Sequence, residues 1–508
     1  MSILVNLSLF SKMFGLFLRS KIKFFIFSCL LVGIFRAIIK LPPSSETNIW
    51  LALQINQLLL YANQKLIFIP MKKLLMSALL CVVLLSANAQ IKAEDVKTFT
   101  LKNGMKFLVI EDSSIPNANM YLFYRVGSRN EYQGITGLSH FFEHMMFNGA
   151  KKYGPKMFDR TMEFNGGANN AYTTENVTVY TNWFPSSATE VIFDLEGDRI
   201  ATLNIDPKMV ESERGVVLSE RSTGLENSKW RLLSETVQGT AFQEHPYHWP
   251  VIGYEDDMKN WKQSDLERYF KTYYAPNNCV TVIAGNVKFD EAKRLAEKYI
   301  EPIPAQPEPP KVMIVEPPQT GERRVWVQKD VSSSSLMIAY KVPESKNEDY
   351  YALSILSDIL SSGNSSRLYS SLVDKKQLAT QVFTNFGESF DPTLFGIYAT
   401  AADKVNENDV EKAIYEEIEK IKTEGITEKE LQKIKNQKLM EFYIQIETIN
   451  GKSNNIGTYE VFFGDYKKMF DAPAAFNKVT VDDIKNVAKK YFMKTNRTVG
   501  ILKANTEE

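Results

Sequence analysis

The chain has 508 residues, 44% of them apolar, which is enough for two or three domains with sizeable cores and too apolar for a disordered protein. A formal net charge of zero hides a split: residues 1–89 hold nine Lys/Arg and one Asp/Glu, leaving the remainder with a net charge of −8. A mildly acidic body argues against non-specific nucleic-acid binding, and no nucleic-acid partner is expected.

The first segment in chain order reads as targeting sequence. The apolar stretch "FFIFSCLLVGIFRAII" (residues 24–39) is short for a membrane span and is interrupted by Arg36. At Met71 a second pattern begins, "MKKLLMSALLCVVLLSANAQ": a basic start, an apolar run and a small-x-small ending at Ala87-Asn88-Ala89. This predicts a signal peptide over residues 71–89, cleaved before Gln90. The expectation is that Met71 is the true start, that residues 1–70 are an upstream in-frame extension, and that the protein is exported to the periplasm. An anchor formed by residues 24–39 is the rival. Beyond residue 89 only Cys279 remains, so no internal disulfide and no cysteine-ligated zinc finger is expected.

"GLSHFFEHMMFNG" (residues 137–149) predicts a helix. His140 and His144 are four apart and share one face, where two imidazoles can reach a single zinc at roughly 2.0–2.1 Å. Glu143 borders that face without being a ligand and is placed to accept a proton from a metal-activated water. The plainer alternative is a helix that happens to carry two histidines. A catalytic zinc wants a third protein ligand. His245 and His248 in "QEHPYHWP" suit packing better than ligation. In "MVESERGVVLSERS", Glu213 and Glu220 are seven apart and share a helix face, although Glu211 and Glu220 could equally face water. Spacing alone leaves that choice open. "GGANNAYT" (residues 166–173) reads as a strand opened by glycines.

Seven prolines in residues 301–324 mark a linker. It divides the chain into residues 90–300 and residues 325–508. The two parts echo each other: Asp265, Leu266, Tyr273, Asn278 and Ile283 match Asp483, Ile484, Tyr491, Asn496 and Ile501 at one offset of 218. "LSHFFEHMMFNG" aligns with "LSILSDILSSG", where His140, Glu143 and His144 fall on Ile355, Asp358 and Ile359. The helix persists without its histidines, so the fold does not require them. Helices are expected from about Glu407 to Glu424 and from Thr427 toward Ile446. Strands and helices interleave without a dinucleotide fingerprint, so the fold class is α+β, a sheet against helices, twice over.

The spacing HxxEH is the inverzincin signature. With "GSRNE", "GGANNAYTTENVTVY", "ERGVVLSE" and "HPYHWPVIG" in the same order, residues 96–505 resemble the pitrilysin-type zinc metallopeptidases, in their short branch similar to mitochondrial processing peptidase. The resemblance implies two homologous domains in a clamshell arrangement, with the second domain lacking metal ligands. It implies one zinc per chain held by His140, His144 and Glu220, with Glu213 supporting the site and Glu143 as the base. It also implies that Asn170 and Ala171 contact an extended peptide or small protein substrate. The function so implied is zinc-dependent endopeptidase hydrolysis of peptides by a metal-activated water. One departure stands out. The Arg/Tyr pair expected after "SRL" falls on Val373 and Thr380. A same-fold partner subunit supplying that pair is therefore expected, with this chain as the zinc-bearing subunit of a hetero-oligomer. The alternative is a non-catalytic structural or peptide-binding subunit of the same fold.

Overall fold

The central strands are apolar almost throughout. Such strands must be covered on both faces, and the architecture follows from what covers them. A computed structural model describes residues 91–504. The signal peptide at 71–89, the upstream 1–70 and the apolar stretch 24–39 lie outside the described residues.

The first sheet has six strands: β1 (Val96–Thr100), β2 (Lys106–Glu111), β3 (Asn117–Tyr124), β4 (Ala168–Thr173), β5 (Thr178–Pro185) and β6 (Cys279–Gly285). Their order is β1-β2-β6-β3-β5-β4, with β2 and β6 parallel and the other neighbours antiparallel. The second sheet has five: β7 (Arg323–Lys329), β8 (Ser335–Val342), β9 (Ala379–Asn385), β10 (Thr393–Ala401) and β11 (Arg497–Ala504). Its order is β7-β11-β8-β10-β9, again with one parallel pair, β7 with β11. With β1 set aside, the two topologies are the same strand for strand. The offset of 218 holds at both ends of β3 and β8, and at both ends of the helices Gln263–Tyr273 and Val481–Tyr491.

Each sheet has its own helices on one face. Phe107, Met120, Leu122 and Tyr180 of the first sheet pack against Phe142, Phe193, Leu266 and Leu295. Leu336, Ile338, Phe395 and Ile397 of the second pack against Leu353, Leu356, Ile414 and Ile484.

The opposite faces are covered by exchange. The helix Lys229–Ala241 belongs to the first half of the sequence, yet Leu233 and Val237 bury against Met337, Ala339, Tyr398 and Leu502 of the second sheet. The helix Ile449–Thr458 belongs to the second half, yet Ile456 buries with Tyr121, Phe123, Val280 and Val282 of the first. Two glycines permit the close approach. A Cβ at Gly500 would lie 2.2 Å from Val237, and one at Gly457 would lie 2.1 Å from the Phe123 ring. Polar contacts seal the second crossing: Asn119 donates to Asn450 at 2.8 Å, and Ser453 donates to Asn119 at 2.7 Å.

The proline-rich linker is fixed to this body. Glu316 accepts hydrogen bonds from the backbone N–H groups of Gln243, Glu244 and His245 and from Lys341. Its last two residues, Arg323 and Arg324, open β7. The helices read from the sequence fall at Glu407–Glu424 and Glu428–Gln445, the latter opened by a capping box between Thr427 and Glu430.

Candidate metal centre

The helix that carries both histidines spans Leu138–Met145. It starts at Gly137, whose φ of +89° and whose crowding against Ile252 O, 2.4 Å from a hypothetical Cβ, admit only glycine. Glu131, buried to 4% exposure, caps it by accepting from the backbone N–H of Gly137 at 2.6 Å and of Ser139 at 2.7 Å. Burial pushes this carboxyl up to about 8, against the pull of those two donors. Phe141, Phe142 and Met145 turn into the core, which leaves His140, Glu143 and His144 half-buried on the other side.

Facing them is the helix Pro207–Asn227, started by Asp206 as N-cap and Pro207 in the first turn. Val210 and Val217 anchor it, and Glu213 and Glu220 look across at the histidines. Glu220 Oε2 lies 3.6 Å from His140 Nε2 and 3.5 Å from His144 Nε2. A tetrahedral metal with bonds of roughly 2.0–2.1 Å sets its ligand atoms about 3.4 Å apart, so this donor set fits zinc. Among the described residues, His140, His144 and Glu220 are the group of His, Cys or acidic side chains sized to hold a metal ion. Glu211 is exposed and pairs with Arg214 instead.

Glu213 does different work. Its Oε1 is 2.8 Å from His144 Nδ1, and its Oε2 accepts from Asn148 at 2.6 Å. The carboxylate holds the ring by Nδ1 and turns Nε2 toward Glu220; with a metal at Nε2 it would keep the remaining proton on Nδ1. His140 has no such support: its Nδ1 is buried with no hydrogen-bond partner, and helix packing alone sets the ring. The electrostatics divide the pair. Burial and the neighbouring His144 hold His140 down at about 4. Burial opposes charge on His144 too, but Glu213 and Glu220 outweigh it and raise that ring to about 9. Hydrogen bonding to His144 holds Glu220 at about 2.

Glu143 points beside the donor set. Thr173 at the end of β4 donates to its Oε2 at 2.6 Å. Burial raises the Glu143 carboxyl above the ordinary range, and the Thr173 hydroxyl opposes that rise. β4 is the edge strand of its sheet. Asn170 and Ala171 pair inward with Thr181 and Tyr180, and the outer edge carries no strand among the described residues. Asn170 is exposed and Ala171 half-buried.

Three contacts have no counterpart in the sequence reading: Thr173 on Glu143, Asn148 on Glu213, and Arg231, whose Nη2 lies 3.4 Å from Glu220 Oε1. Asn148 follows His144 by four residues, a spacing that could have revealed it. The other histidines are structural. His245 accepts from the Tyr247 N–H and faces Asp391 at 3.3 Å, and His248 bonds the Phe242 carbonyl. In the second half, Ile355 and Ile359 are core residues, and Asp358 is paired with Lys438 at 2.7 Å. Val373 packs against the second core, and Thr380 is exposed on β9.

Residues 106–254 match the family described as insulinase (peptidase family M16), and residues 260–438 match the peptidase M16 inactive domain. The latter match covers most of the half without histidines. The zinc protease PqqE of Helicobacter pylori is 32% identical over 433 residues, covering 84% of this chain and 97% of that protein. A probable mitochondrial-processing peptidase subunit beta of Arabidopsis thaliana is 24% identical, over 80% of this chain and 78% of its own. The crystal structure of a protease from Helicobacter pylori matches with a TM-score of 0.77 at 32% identity, covering 80% of this chain and 99% of that one. With its two-sheet fold, its donor set and relatives named as zinc proteases, this chain belongs to the M16 (insulinase) family of peptidases.

Proposed function

We propose that the chain is a zinc-dependent endopeptidase of the HxxEH type and the zinc-bearing subunit of a hetero-oligomer. The observation that carries this is the convergence of His140 and His144 Nε2 on Glu220 Oε2, with Glu143 alongside, on a helix whose second-half counterpart has lost all three side chains. Zinc bound there supplies a Lewis acid that polarises a peptide carbonyl and acidifies water. Glu143 takes the proton of the attacking water as its oxygen adds to the carbonyl carbon. It then passes that proton to the amine nitrogen as the C–N bond breaks. Thr173 steers the carboxylate, and Glu213 keeps His144 in the required tautomer. The free edge of β4 can pair with an extended peptide, which places its backbone along Asn170 and Ala171 beside the donors.

Val373 and Thr380 supply neither a guanidinium nor a phenol, so a same-fold partner is proposed to bring that pair. The relative named as a subunit beta supports such an assembly. The segment from Met71 to Gln90 supports export, with the periplasm as the proposed compartment. The second reading, a non-catalytic subunit, is favoured by the absent Arg/Tyr pair alone.

One experiment separates them. Wild type and Glu143→Gln should each bind one zinc, while Glu220→Gln should lose it. With its partner, the wild type should cleave a flexible peptide, and Glu143→Gln should be slower by about 10²–10⁴-fold. A zinc-free wild type, or a Glu143→Gln variant of undiminished activity, overturns the catalytic reading. Full activity in the isolated chain overturns the need for a partner.

A further inference from the structure

Glu220 turns Oε2 toward the two histidines and Oε1 toward Arg231, whose Nη2 is 3.4 Å away. Arg231 does not belong to the metal-facing helices. It sits in the first turn of the exchanged helix Lys229–Ala241, where Ser228 caps it by accepting from the Arg231 N–H at 3.1 Å. The residues around it are tied to the second half. Lys229 donates to Thr400 at 3.1 Å, and Trp230 stands edge-on to Phe383 and Tyr398 with centroids 5.5 Å apart in both cases. Leu233 and Val237 are buried against the second sheet. On the other side, Gly224 leaves room for the guanidinium. A Cβ there would lie 2.1 Å from Arg231 Nη1 and 2.9 Å from Cζ.

We propose that Arg231 is a positioning residue for the third metal ligand: it holds the outer oxygen of Glu220 so that one oxygen faces the histidines, and it ties metal retention to the second sheet. Charge supports this. Glu143, Glu213 and Glu220 bring three negative charges to a divalent ion, and one guanidinium balances the excess. A carboxylate without that clamp is free to rotate or to offer both oxygens, so the geometry of the donor set loosens. The inference rests on the reading that His140, His144 and Glu220 bind zinc.

The test is chelator competition for zinc on the full chain, with the absorption spectrum of the cobalt-substituted protein as a second readout. Arg231→Gln should lower zinc affinity by about 10–100-fold, as loss of an outer partner of a ligand does elsewhere. It should also shift the cobalt bands. Arg231→Lys keeps the charge without the planar fork and should restore part of the affinity. Gly224→Ala is the companion variant. Alanine favours the helix, so its thermal midpoint should hold or rise, while the methyl displaces the guanidinium and zinc affinity falls as in Arg231→Gln. If Arg231→Gln and Gly224→Ala hold zinc as tightly as wild type, or more tightly, the assignment is wrong. A wild type that holds no zinc overturns the metal reading itself.

Discussion

At the scale of residues, His144 is the most constrained donor of the centre, since Glu213 holds one nitrogen while the other faces Glu220. Glu213→Ala removes that hold and leaves Asn148 without its acceptor. Zinc affinity in this variant should drop by about 10–100-fold with the fold intact, measured by chelator competition beside far-ultraviolet circular dichroism. Unchanged affinity would show that helix packing alone orients the ring, as it does for His140. His140, Glu143 and His144 were legible in the sequence because they lie on one helix, where spacing fixes the face; Glu213 and Glu220 share a helix face as well, but spacing left their roles open and only the family resemblance singled them out. Thr173 and Arg231 were not legible. They reach the site from a strand and from a third helix, and spacing along the chain says nothing about neighbours that arrive across it.

At the scale of elements, sequence patterning announced the long helices Glu407–Glu424 and Glu428–Gln445 of the second half. Glu407–Glu424 ends on Gly425 at a φ of +83°, and Thr427 with Glu430 starts the next, so both boundaries were written in cap residues. What periodicity could not show is which surface an apolar stripe covers. Leu233, Val237 and Ile456 are ordinary apolar residues in the sequence, yet each buries against the sheet of the other half. The exchange places a demand on Gly457. An alanine there collides with the Phe123 ring, which is buried and has no room to retreat. Gly457→Ala should cost about 1–3 kcal/mol by overpacking, read as a lower urea midpoint with an unchanged slope. A midpoint equal to or above wild type, as a plain gain in helix propensity would give, would show that the helix is free to lift from the sheet.

At the scale of the whole molecule, the proline-rich linker divides the chain into two homologous halves, and these halves share a buried core and several ion pairs. Lys106 with Glu460, Asp112 with Lys452, and Arg129 with Asp391 each join one half to the other. Burial alone would raise the Asp112 carboxyl, but Lys452 and the Ser114 donors outweigh it and hold it at about 2, below its ordinary 3.8. A carboxylate held down in the folded state stabilises that state above its unfolded value, and the contribution disappears as pH falls through the folded value. Stability from this pair should therefore be full above about pH 4 and lost between about 4 and 2. Lys452→Gln should remove about 1 kcal/mol or less at neutral pH and flatten the acid limb of the midpoint-against-pH curve. An acid limb identical to wild type would mean that the pair contributes nothing across the joint. The shared core also predicts one cooperative unfolding transition, where a linker between independent domains would give two.

The linker and the exchange together have a consequence for chain continuity. Met313 and Val315 stand 78% and 82% exposed, so the covalent bridge between the halves is open to a protease. Each half, however, grips the other by a helix inserted beneath the partner's sheet. Cutting the bridge would leave an interlocked two-chain molecule that migrates as one particle in solution and as two bands once denatured, with Arg231 still reaching Glu220.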